Sequence, residues 1–148
     1  MPATMTRINV VPPEMLRTDH LGAEYRELPR VFTMARKKTS LGILPSQIRI
    51  PPTYRLGEGH VTFFIDKLDY LTDRYLKICQ ECRNRNRAVN YGNIDTLTEG
   101  IHPAYFNYWE PSPIDYAINI DRLIENGGLH PSFKFPYDFF LYHLQLNP

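Results

Sequence analysis

The chain reads as mostly α-helical, a single compact domain over residues 1–148 with about three main helices and long irregular loops. Three observations predict this. Apolar residues recur at three-to-four spacing in three separate stretches. No two alternating runs are joined by a hairpin turn. The 148 residues, 43% of them apolar, suffice for one hydrophobic core and fall short of two ordinary domains.

The first helix is expected from about Pro13 to about Lys38. Pro13 suits a first helical position, and Leu21, Leu28, Phe32 and Ala35 repeat on one side. Pro29 lies inside this pattern and is expected to kink or divide the helix near Leu28. The second helix follows Gly57-Glu58-Gly59 as one long central element. Its apolar stripe is Val61, Phe64, Ile65, Leu68, Leu71, Tyr75, Ile78 and Cys82, with Asp66, Lys67, Asp69, Asp73 and Arg74 expected on the opposite side. The run Arg83-Asn84-Arg85-Asn86-Arg87 complements the dipole at its C-terminal end. The third helix opens at Ser112-Pro113-Ile114-Asp115, a capping-box pattern, and closes at Gly127-Gly128. Proline-rich connectors, 44–52 and 101–113, join the helices, and an aromatic tail from Phe133 to Tyr142 ends the chain.

No apolar run is long enough to span a bilayer, and the N-terminus lacks the apolar stretch of a secretory signal. Two cysteines cannot make a disulfide scaffold, which points to an intracellular protein. Net charge is only +1, but it is unevenly spread. Residues 1–60 carry nine basic against five acidic side chains, residues 61–97 six against five, and residues 98–148 two against six. A basic first half with an acidic tail suits a polyanion docked on one surface.

The first helix carries the densest chemistry. His20 and Glu27 are seven residues apart and project from nearly the same side. Arg26 and Arg30 are four apart, and Glu27 and Arg30 three apart, so a carboxylate would stand between two guanidiniums and near an imidazole. Stacked arginines make a phosphate clamp, since each offers a planar fork of donors. The same pattern is also that of an ordinary salt-bridged exposed face, and spacing does not choose between them.

The wording of these segments is more specific. Thr6-Arg7-Ile8-Asn9, Asp19-His20-Leu21 and Ala23-Glu24-Tyr25-Arg26-Glu27-Leu28-Pro29-Arg30-Val31-Phe32 closely resemble the phage-type pyrimidine-dimer DNA glycosylase/AP lyases, also called endonuclease V of the pyrimidine-dimer type. A second block, Leu56-Gly57-Glu58-Gly59-His60-Val61-Thr62-Phe63-Phe64 with Asp66-Lys67-Leu68, matches the same family. The resemblance covers the N-terminal two-thirds and becomes faint past Arg83, although Ala117-Ile118 and Arg122-Leu123 still fit.

That resemblance implies a compact helical enzyme, acting as a monomer on double-stranded DNA that contains pyrimidine dimers. It would cleave the glycosidic bond of the 5′ pyrimidine in an ultraviolet-induced cyclobutane dimer and then nick the abasic strand by β-elimination. It implies no metal and no cofactor. The catalytic residues it assigns are Thr6, through an α-amine exposed when Met5 is removed, and Glu27. The DNA-binding residues are Arg7, His20, Arg26, Arg30, Lys37 and Arg122. Asp19 stands where the family has a glutamine, an added negative charge, and Asn126 where it has a lysine, a positive group removed, both weakening phosphate contact. The tail segment Phe133-Lys134-Phe135-Pro136-Tyr137 only approximates the family's tryptophan- and tyrosine-rich one.

The chemistry is sound on general grounds. An imine-forming nucleophile must be an unprotonated amine, and an α-amine, with a pKa of about 8 against about 10.4 for lysine, is far more often free at neutral pH. Glycosidic cleavage develops positive charge on the sugar, which a fixed carboxylate such as Glu27 stabilises. Whether Glu27 also moves a proton stays open; between arginines it suits a base better than an acid. Residues 1–5 precede the nucleophile, and an amide nitrogen cannot form an imine, so the active chain is expected to begin at Thr6. Removal of Met1 alone would free the secondary amine of Pro2, up to roughly 13 Å away along an extended chain. A relative with shifted lesion choice, and a DNA-binding protein without catalysis, are the alternatives.

Other motifs carry less. Cys79-Gln80-Glu81-Cys82 lacks two further ligands for zinc and reads as a pair of structural thiols. Gly57-Glu58-Gly59-His60 lacks the third glycine of a dinucleotide fingerprint and reads as a helix start. The aromatic tail reads as core and lid, and Arg83–Arg87 as a solvated helix end.

Overall fold

The computed structural model describes residues 7–90 and 93–133. Among the described residues six α-helices are formed: α1 (Thr18–Glu27), α2 (Pro29–Ser40), α3 (His60–Phe64), α4 (Leu68–Asn84), α5 (Ile94–Thr98) and α6 (Pro113–Asn126). Single 3-10 turns lie at Pro13–Met15, Pro45–Gln47 and Pro103–Tyr105. Among the described residues there is no β-strand, only an isolated bridge between Leu16 and Leu129. The fold is therefore mostly helical and compact, with α1–α2, α4 and α6 as its main bodies. None of the described helices is long and apolar enough to cross a membrane.

The first expected helix is divided twice. Pro13 opens only a 3-10 turn, and Leu16 and Arg17 are extended, so α1 begins at Thr18 rather than Pro13. Leu16–Arg17 instead pair with the chain after α6, where Arg17 N–H donates to the Gly128 carbonyl at 2.8 Å and His130 N–H to that of Met15 at 2.8 Å. Backbone groups bonded to another segment are unavailable to a helix. At Pro29 the division falls where expected. Leu28 keeps helical dihedrals (φ −55°, ψ −41°), so α2 continues α1 after one residue.

The expected long central helix is two helices. α3 ends at Phe64, and Lys67 leaves helical geometry (φ −123°, ψ 44°) before α4 begins. The cause is competition for carbonyls. The Lys67 ammonium donates to the Phe63 carbonyl at 2.8 Å and to the Asp66 carboxylate at 2.9 Å, while Asn107 takes the Asp66 carbonyl at 2.8 Å. Lys67 N–H turns to the Phe64 carbonyl instead of that of Phe63. α6 starts and stops as its sequence dictates. The Ser112 hydroxyl and Asp115 carboxylate form a reciprocal capping box, and Gly127 closes the helix in the left-handed region (φ 65°). α5 was not expected; it is capped by the Asn93 side chain, which accepts from Asp95 and Thr96 N–H.

The core forms where α1 packs on α4, with Leu21, Leu28, Phe32, Leu68, Leu71 and Ile78 fully buried and Tyr25 stacked on Tyr75 at 5.9 Å. The connector 101–113 is not loose. Buried Tyr105 donates to the Ile43 carbonyl at 2.6 Å, and Trp109 packs among Tyr54, Phe63, Phe64 and Tyr70. Both cysteines are buried free thiols, and burial raises their pKa, which keeps them poor nucleophiles.

Candidate active-site cleft

A helix presents residues three, four and seven apart on one face. On α1 that face is His20, Ala23, Glu24 and Glu27, and all four line one cleft of about 200 Å³. Arg7 and Asn9 enter it from the N-terminal segment, and Arg122, Leu123 and Asn126 from α6. α6 supplies its share because Arg122 and Asn126 are one turn apart on the side of the helix that faces α1.

The floor is bonded into the core. Glu24 is 1% exposed and meets the Arg74 guanidinium from α4 in a two-point fork, Nε to Oε2 at 2.8 Å and Nη2 to Oε1 at 3.0 Å. Asn9 Nδ2 also donates to Glu24 Oε1 at 2.8 Å, and Asn119 of α6 donates to Asn9 Oδ1 at 2.8 Å. Burial by itself would make the Arg74 guanidinium easier to deprotonate, but the facing carboxylate outweighs it and the net shift is upward. Arg74 was expected on the solvent side of its helix; it is buried instead. It stands three residues after Leu71 and four before Ile78, within the apolar stripe, and it is tolerated there because Glu24 supplies the opposite charge.

The same groups hold the N-terminal segment. The Asn119 side-chain oxygen accepts Val10 N–H at 2.7 Å and Val11 N–H at 3.1 Å, Arg74 Nη1 donates to the Val11 carbonyl, and Ile8 N–H donates to His60 Nε2 at 2.8 Å. Residues 8–11 are buried, and Arg7, the next residue out, is exposed at the cleft.

At the rim, the Glu27 side chain is 15% exposed and pairs with the half-exposed Arg30 at 3.3 Å. Arg122 lies 3.6 Å from Glu125, and its buried Nε has no hydrogen-bond partner among the described residues. The His20 ring is pressed against Gly128. A Cβ there would stand 2.8 Å from both Cε1 and Nδ1, so only glycine leaves the ring its place.

The structure thus brings Arg7, His20, Glu27 and Arg122 together, with Arg30 on the Glu27 carboxylate. It does not bring in Arg26. That side chain lines a separate groove with Pro29, Thr33, Arg36 and Asn90, its guanidinium over Gly22. Lys37 is exposed near the end of α2, ten residues beyond Glu27, and does not line the cleft. Thr6 lies outside the described residues, as do the tail residues from Lys134 onward. Asn9, Glu24, His60, Arg74 and Asn119 were not foreseen as a unit. Glu24 shares the helix face of His20 and Glu27, a signal present in the spacing. Among the described residues no three His, Cys, Asp or Glu side chains are grouped to hold a metal ion.

A family model described as pyrimidine dimer DNA glycosylase matches residues 5–95. The match contains every cleft residue contributed by the N-terminal segment and α1, together with Arg74 of the floor, and stops short of α6. With more than half of its 148 residues in that match, the chain belongs to the pyrimidine dimer DNA glycosylases.

Proposed function

We propose that this protein both cleaves the glycosidic bond at pyrimidine dimers and nicks the resulting abasic strand, using a free α-amine on Thr6. The amine nitrogen attacks C1′ of the 5′ deoxyribose, and the glycosidic bond breaks with its electron pair leaving on the base, which takes up a proton. Opening of the sugar ring gives an imine between the amine and C1′. Loss of a C2′ proton then breaks the C3′–O bond, and the phosphate-bearing strand departs. Glu27, as a carboxylate, stabilises the positive charge on the sugar and then on the iminium. Its position also suits removal of the C2′ proton. Arg7, His20, Arg30 and Arg122 hold phosphates flanking the lesion, and Arg26 and Lys37 extend that contact outside the cleft.

The observation that carries this reading is that Arg7 and Glu27 line one cleft over a floor tied into the core. Thr6 is joined by a peptide bond to Arg7, which lines that cleft. Residues 1–5 act as a dispensable extension, and the active form is a monomer starting at Thr6. Recognition relies on the weak stacking of a dimer, which makes kinking and nucleotide displacement less costly there.

Protein starting at Thr6 and protein starting at Met1 are compared on ultraviolet-irradiated supercoiled plasmid in EDTA, in parallel reactions without borohydride, which read nicking, and with it, which reduce and trap any imine. The Thr6 form nicks irradiated plasmid alone and yields a covalent adduct on its N-terminal peptide. An adduct on an internal lysine, or none at all, overturns the amine mechanism. Nicking of abasic but not dimer-containing DNA marks shifted lesion choice, and binding with no adduct marks a protein without catalysis.

A further inference from the structure

His60 plays no part in the chemistry above, yet it is 3% exposed and both ring nitrogens are engaged. It opens α3 behind Gly59, whose left-handed backbone (φ 87°) turns the chain inward. Nε2 lies 2.8 Å from the Ile8 amide nitrogen, and Nδ1 lies 2.8 Å from the Arg55 carbonyl oxygen. An amide can only donate and a carbonyl can only accept. The partners therefore assign the ring, with its proton on Nδ1 and a lone pair on Nε2. A protonated ring would present a second donor to Ile8 N–H and lose that bond.

The surroundings favour the neutral form. The ring sits edge-on to Tyr54 and Phe64, at 5.7 and 5.5 Å. Burial is the main influence and lowers its pKa; the Arg55 carbonyl and Glu24 of α1 act in the opposite direction, while Arg7 acts with burial. The bond to Ile8 is the outermost clamp on the buried segment 8–11, and the next residue, Arg7, lines the cleft.

We propose that His60 is a positioning residue for the nucleophilic amine. As a neutral imidazole it fixes Ile8, and thereby the adjoining Arg7 at the cleft that Glu27 lines, from which the chain continues to the nucleophile; its protonation releases that hold. This rests on the reading of Thr6 as nucleophile and deepens it.

The test uses the full chain starting at Thr6, saturating abasic-site DNA, and cyanoborohydride, which reduces imines in weak acid. His60→Phe keeps a ring but no acceptor, and it slows adduct formation roughly 10–10²-fold at saturating DNA, where any affinity lost through Arg7 does not enter the rate, because a misplaced reacting group loses alignment. His60→Gln supplies an acceptor that does not titrate. It recovers most of that rate at neutral pH, and across the pH range in which the Ile8 amide shift reports protonation of His60 it loses about threefold less than the parent, the amine's own titration being common to both. Long-range proton–nitrogen NMR of the ring in the free protein shows Nδ1–H, with the Ile8 amide shift following the titration of His60. No adduct from the parent refutes the nucleophile, and the positioning role with it. Adduct formation by the parent with equal rates in a folded His60→Phe, equal pH ratios in His60→Gln, or an Nε2–H ring refutes the positioning role alone.

Discussion

Floor and rim of the cleft each carry a glutamate–arginine pair, and the two glutamates stand one turn apart on the same helix. Glu24 on the floor is buried, forked to Arg74 and bonded to Asn9. Glu27 on the rim is partly exposed and pairs with the half-exposed Arg30 at 3.3 Å. Chemically alike pairs thus serve different ends. A desolvated pair that uses its acceptors on protein donors fixes architecture, while a carboxylate with spare acceptor capacity at the mouth can meet a charge that arrives with the substrate. The difference is one of depth. The floor locks four segments together through Asn9, Glu24, Arg74 and Asn119, and the rim holds the Glu27 carboxylate at the cleft itself.

The comparison breaks first, if it breaks, on Arg74→Met. Leaving Glu24 buried without its partner is expected to cost about 3–5 kcal/mol by urea denaturation, whereas Arg30→Met costs under about 1 kcal/mol. Equal costs for the two would show that depth does not separate them. The converse contrast is in activity. Glu27→Gln is expected to lower the nicking rate about 10²–10³-fold while stability stays within about 0.5 kcal/mol of the parent. A large loss of stability would move Glu27 into the floor's class.

Smaller effects sharpen the picture of how the two walls meet. Gly128→Ala places a methyl against the His20 ring, costs about 1–3 kcal/mol through overpacking, and shifts the His20 resonances in NMR spectra. Unchanged His20 signals would mean the ring has room to yield. The smallest effect is in pH. Because the folded protein lowers the pKa of His60, the unfolded chain takes up that proton more readily as pH falls below about 6.5. The neutral ring's contribution is therefore complete above that value and lost below it. The urea midpoint falls accordingly in acid, and His60→Gln flattens that slope.

Much of this was legible in the residues. The boundaries of α6 follow from Ser112, Asp115 and Gly127, since a capping box and a left-handed glycine are local devices that need no partner. Division at Pro29 is equally local, and the shared face of His20 and Glu27 follows from helical periodicity. The break at Ile65–Lys67 was not legible, because the apolar stripe runs on in phase through it and the Phe63 carbonyl is taken by a lysine side chain. Arg26 was expected beside Arg30 at Glu27, but it turns to another groove once its side chain extends over Gly22.

Local chemistry, then, made the caps, the proline break and the family's signature segments readable as written. Folding in three dimensions chose which charges to bury. Arg74 and Glu24 are fifty residues apart, and neither tolerates burial alone. Only when α1 packs on α4 do they meet, and only then do Asn119 and His60 find the backbone of residues 8–11. Desolvating a charge is acceptable where its partner has already been delivered, and that delivery depends on long-range packing rather than on any spacing along the chain.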